Sequence, residues 1–115
     1  MSSHHCRIEN GSLWIESQRV CLPYPADTFL LFKGIVQIRL ESPPGEGFNR
    51  NIFAVSMAGE VLWQIEESPH GAQADKPFMS LHCDDDAQVI AGCWNGVTYS
   101  VNVENGKIQV IQFNK

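Results

Sequence analysis

The residues with the widest chemical reach here are four histidines, four cysteines and a run of three aspartates. His4, His5, Cys6, His82 and Cys83 are of the types that hold zinc in tetrahedral sets. Their spacing forms no such set. No two cysteines are spaced as CxxC, and His82 and Cys83, as neighbours on one strand, point to opposite faces. The expectation is a core Cys83, an exposed His82 and no metal. Asp84-Asp85-Asp86 offers oxygens to a hard cation, which needs an ordered cage of them. Ala87-Gln88-Val89 follows, without alternating acids, a glycine or a distal glutamate. The triplet therefore reads as a turn whose aspartates bond the local backbone.

Nucleophilic catalysis finds no motif. GxSxG is absent, and Cys21 and Cys93 lie in apolar strand contexts where thiols are inert. An enzyme would need His70 or His82 beside Cys83, Cys93 or a carboxylate pair. Gly45-Glu46-Gly47 lacks the GK[ST] ending and following helix of a phosphate loop. No catalytic residue and no cofactor is assigned.

Charge says more. The chain carries 13 acids against 8 bases, for a net charge of −5. From Glu60 to Asp86 the acids are Glu60, Glu66, Glu67, Asp75, Asp84, Asp85 and Asp86, against Lys76 alone. Direct nucleic-acid binding by this stretch is excluded, because phosphate recognition needs clustered Lys and Arg. A basic protein is the matching partner, since opposite potentials raise association rates and fix register. Glu66, Glu67, Asp84, Asp85 and Asp86 are the candidate contacts. Trp94, just before Asn95-Gly96, is a candidate anchor of the kind common at interfaces. The aromatics Trp14, Trp63, Trp94, Phe53 and Tyr99 could instead line a cleft for a small ligand, though such rings more often build cores.

Short strands must position these residues. Asn10-Gly11 is a hairpin signal, with strands over Arg7–Glu9 and Leu13–Glu16. Arg19–Leu22 is a further strand, stopped by Pro23 and Pro25. Residues 27–32 fit a strand or a short helix, and Lys33-Gly34 favours the helix because glycine often closes one. In Ile35–Glu41, Val36, Ile38 and Leu40 face one way and Gln37, Arg39 and Glu41 the other. That predicts one buried and one wet face, hence an antiparallel sheet. Residues 42–47 are a loop, and 66–76 a long one. Strands follow at Asn51–Ser56, Val61–Ile65, Phe78–Cys83, Val89–Cys93, Thr98–Val103 and Ile108–Phe113.

Phe53-Ala54-Val55-Ser56 with Gly59-Glu60-Val61 repeats as Tyr99-Ser100-Val101-Asn102 with Gly106-Lys107-Ile108. The segments Asn51 to Trp63 and Ala91 to Ile108 resemble blades of the quinoprotein (PQQ-like) β-propeller families, sharing an aromatic-x-Val strand, a glycine turn and an apolar return. A full propeller needs more blades than one chain of this length supplies, so the resemblance implies no cofactor and no site residue. The whole chain is also similar to small bacterial proteins of unknown function.

These readings converge on a mainly β domain spanning residues 1–115, with 1–5 as a tail. It is a single twisted or folded antiparallel sheet of about seven to nine strands, with at most one short helix near 27–32. Its core takes Trp14, Val36, Ile38, Leu40, Phe53, Val55, Leu62, Val89, Tyr99, Val101 and Val110. Scattered cysteines and the lack of an apolar leader or membrane span place it in the cytoplasm. The expected function is a non-enzymatic protein-binding module, in one version an immunity or inhibitor protein capping a basic toxin. The alternatives are a small-ligand binder and a hydrolase-like His/Cys enzyme. Free sheet edges would allow a homodimer.

Overall fold

A computed structural model describes residues 6–43, 48–67, 77–93 and 96–113. Eleven strands run through them and no helix. β1 (Cys6–Glu9), β2 (Ser12–Ile15) and β3 (Gln18–Val20) form an N-terminal sheet. β4 (Ala26–Phe32), β5 (Ile35–Leu40), β6 (Ile52–Ser56) and β7 (Val61–Gln64) form a central sheet. β8 (Phe78–Cys83), β9 (Val89–Cys93), β10 (Val97–Val101) and β11 (Ile108–Phe113) form a C-terminal sheet. Each sheet is an antiparallel meander in chain order.

The single sheet expected from the sequence is thus three. Pro23 and Pro25 lie between β3 and β4, where their missing N–H groups help end the ladder. The chain between β7 and β8 then carries it to another layer. The central sheet lies between the other two and has a core on each face. Leu13, Ile15 and Val20 pack with Val36, Ile38, Leu40 and Val55 on one side. Ile52, Ala54, Trp63 and Ile65 pack with Phe78, Val89, Ala91, Tyr99 and Val101 on the other.

Residues 27–32 are strand, not helix. β4 pairs with β5 almost throughout, and Lys33-Gly34 is the turn between them. Lys33 and Gly34 have φ of 53° and 76°, matching 52° and 79° at Asn10-Gly11, the paired positive values of a tight two-residue hairpin. Gly34 serves a β-turn here rather than a helix end.

The wet face expected for β5 is buried. Gln37 and Arg39 lie opposite Ala54 and Ile52 of β6 and so face the C-terminal sheet. Gln37 is fully buried. Its amide nitrogen donates to the Ile35 carbonyl at 3.2 Å, while Oε1 has no partner. An unpaired buried acceptor is costly, so Gln37→Met should raise the unfolding free energy by about 1 kcal/mol. A urea titration showing a loss instead would mean that the amide is needed.

Seven of the expected core residues are buried: Val36, Ile38, Leu40, Val55, Val89, Tyr99 and Val101. Phe53 and Val110 are half-buried against the cores. Leu62 is 48% exposed, and its neighbour Trp63 is buried in its place. Trp14 is half-buried, with the Arg7 guanidinium 5.2 Å from its ring centre, on the outer face of the N-terminal sheet.

Candidate binding site

Two sets of bonds fix the C-terminal sheet to the central one. The first is at Asn51, buried just before β6. Its Nδ2 donates to the carbonyls of Leu40 (3.1 Å) and Phe78 (2.9 Å), and its Oδ1 accepts from the Phe78 N–H (2.9 Å). The side-chain amide pairs with the first residue of β8 as a neighbouring peptide would. Arg39 adds a bond from Nη1 to the same Phe78 carbonyl (3.2 Å), and Nη2 holds Asp27 and Glu41. The guanidinium is nearly buried while both carboxylates reach water.

The second set runs from β7 to the turn between β10 and β11. Trp63 Nε1 donates to the Val103 carbonyl at 2.9 Å. The Glu66 N–H donates to the Gly106 carbonyl, and Glu66 Oε1 accepts from the Ile108 N–H, both at 3.0 Å. Gly106 has φ +79°, and a Cβ there would come within 2.5 Å of the Trp63 ring.

Together these bonds bring distant acids to one end of the C-terminal sheet. Cys83, Val89, Val101 and Ile108 are successive partners across its four strands. Asp84 follows Cys83 at one side of that row, and Glu66 touches Ile108 at the other. The β8–β9 turn, with Asp84, Asp85 and Asp86, and the β10–β11 turn, with Glu104, therefore share an end. Asp84 Oδ1 accepts from the N–H groups of Asp86 (3.0 Å) and Gln88 (2.9 Å), so this aspartate builds the turn. Glu66 is occupied as described, and Glu67 accepts from Asn49 Nδ2 at 3.3 Å. Asp85 and Asp86 are exposed. Trp94, His70, His4, His5, Asn95 and most of the loop after Glu67 lie outside the described residues.

A groove of about 390 Å³ opens at the same end, between the β4–β5 turn and the C-terminal sheet. Phe32, Val101 and Ile108 line it, with Lys33, Lys107 and Gln88. Among the described residues no Asp or Glu lines it. None of the described rings proposed for an aromatic cleft lines it: Trp63 and Tyr99 are core, Phe53 is half-buried against the N-terminal core and Trp14 faces outward. Sequence reasoning missed the groove, because Lys33 read as a helix end and Lys107 as an ordinary turn residue.

Among the described residues the candidate catalytic and metal side chains are dispersed. His82 lies opposite Ile90 of β9, whereas Val89, Ala91 and Cys93 face the core. His82 thus projects from the other face of the sheet, away from Cys93. Cys93 is buried, its Sγ 3.7 Å from the Pro77 carbonyl oxygen. Cys83 is exposed rather than core, because β8 is an edge strand and Cys83 ends it. Burial, then the Glu16 charge, pushes the Cys6 thiol upward, which lowers its thiolate fraction. Among the described residues no three His, Cys, Asp or Glu side chains are grouped to hold a metal ion. No helix among them is long and apolar enough to cross a membrane.

No curated protein matches the chain. A profile for a domain of unknown function, DUF7957, matches residues 3–113, nearly the whole chain, and the protein belongs to that family.

Proposed function

We propose that the protein is a non-enzymatic binding module that docks a basic protein partner through the acidic end of its C-terminal sheet. The observation behind this is the convergence of Asp84–Asp86, Glu104 and Glu66–Glu67 at one end, although up to 38 positions separate them in the chain. Asp84 and Glu66 hold the framework. Asp85, Asp86 and Glu104 are exposed and would meet the partner. An immunity or inhibitor protein capping a basic, nuclease-like partner in the cytoplasm is the concrete form of this reading. The free cysteines are at ease in such a reducing compartment.

The quinoprotein resemblance adds an architectural reading. Its repeat falls on the third and fourth strands of both four-stranded sheets, β6–β7 and β10–β11. We take these sheets as blade-like units, with no cofactor carried over.

The test is capture from native cytosol at low and high salt, with wild-type protein and an Asp85→Lys/Asp86→Lys variant. A basic protein should be captured at low salt and lost at high salt. The variant should bind it at least about tenfold more weakly, mainly through slower association. Capture that ignores salt and the charge reversal would remove this reading. The groove favours a second reading, a small-ligand binder.

A further inference from the structure

We propose that the groove between the β4–β5 turn and the C-terminal sheet binds a small organic anion, a phosphate monoester or carboxylate carrying a flat apolar group. This rests on the ligand-binding reading, and the groove lies beside the acidic turns of the docking surface.

Charge is the first argument. Acids outnumber bases 13 to 8 in this chain, and Asp84–Asp86 and Glu104 stand in the turns beside the groove. Its lining nevertheless holds Lys33 and Lys107 and, among the described residues, no carboxylate. Neither lysine forms an ion pair among those residues. A site of one sign of charge in a concave surface concentrates counter-ions of the other sign. Lysine suits an oxyanion here as a compact point charge with three donors.

Shape and lining are the second argument. Phe32, Val101 and Ile108 supply apolar surface, and Gln88 and Asn102 supply groups able to orient a ligand. Polar and apolar residues line it in equal number, so a ligand that fills it would carry both a charged group and an apolar one. The volume, about 390 Å³, suits a ring with one charged substituent rather than a larger cofactor.

The backbone adds a third. Lys33 and Ala87 both line the groove, and both are among the few non-glycine residues with positive φ, at 53° and 59°. Glycine or asparagine would be easier at Lys33. Lys33 stands here with its Nζ 5.4 Å from the centre of the Phe32 ring, which holds its charge over the apolar side of the groove.

The experiment is chemical-shift mapping on ¹⁵N-labelled full-length protein. The probes are phenyl phosphate, phenylacetate and benzylamine, the last similar in shape but opposite in charge. Phenyl phosphate or phenylacetate should shift the amides of Gln88, Asn102 and Lys107 saturably, and the tighter of the two identifies the anion class. Benzylamine should not. A Lys33→Glu/Lys107→Glu variant should weaken anion binding at least tenfold; if it misfolds, Lys107→Gln should weaken it severalfold. The Asp85→Lys/Asp86→Lys variant should keep or tighten it, the opposite of its effect on the docking surface, which separates the two. Equal binding of benzylamine, no saturable shift with either anion, or binding indifferent to the lysines would overturn the proposal.

Discussion

Asn51→Leu should cost about 4 kcal/mol of unfolding free energy. Leucine has the branched shape of asparagine, is larger, and can neither donate nor accept. The Phe78 N–H and the Leu40 carbonyl then lose the side-chain partner that Asn51 supplies. Each orphaned buried group costs about 1–3 kcal/mol. The Phe78 carbonyl keeps its bond from Arg39 and loses less. Domains of this size are stable by only about 5–15 kcal/mol, so the variant should sit close to its unfolding midpoint in mild denaturant. Asn51→Asp should be nearly as damaging at neutral pH, because an oxygen would replace Nδ2 against two carbonyl oxygens. Urea titration by circular dichroism measures both. Losses below about 1 kcal/mol would show that Asn51 does not fasten β8 to the central sheet.

Gly106→Ala should cost about 3 kcal/mol, combining left-handed backbone with overpacking. The Trp63 ring occupies the space a Cβ would need. That ring is buried and tied to the Val103 carbonyl, so it has little room to move. Gly34→Ala is the matched control. Its φ of +76° is nearly the same, but nothing lies within 4 Å of the added Cβ, so only the backbone cost of about 1 kcal/mol remains. The gap between the two variants measures the packing of β7 against the β10–β11 turn. In a double-mutant cycle, Trp63→Leu should recover part of that gap for Gly106→Ala. Equal losses at Gly34 and Gly106 would mean that the ring yields freely, and that the Glu66 bonds alone hold this corner.

Both predictions concern contacts between sheets, where the sequence was least legible. Within a sheet it read well. β8, β9 and β11 fall where alternating or apolar runs between turn residues place them, and Asn10-Gly11 makes its hairpin. Such signals are local. Strand pleat alternates side chains, and positive-φ residues bend the chain within a few positions. The two similar segments fall on β6–β7 and β10–β11, each an antiparallel pair.

The candidate site was legible only as composition. An acidic stretch could be read from the chain, but not that Asp84 and Glu66 would be spent on a turn and on β11. Leu62 and Trp63 are both apolar neighbours on β7, and a register shift between Ala54 and Val55 falls in its pairing with β6. A single step in register exchanges the faces, so only the neighbouring sheet decides which of the two is core.

The amino-acid sequence by itself determined a β protein of short antiparallel strands, their turns, and an acidic middle region, because each depends on residues a few positions apart. Tertiary structure alone decided that the strands form three sheets, that Gln37 and Arg39 are covered, and that Lys33 and Lys107 share a groove. Those outcomes depend on which faces meet after collapse, where burial and the pairing of buried polar groups outweigh the preference of any one strand.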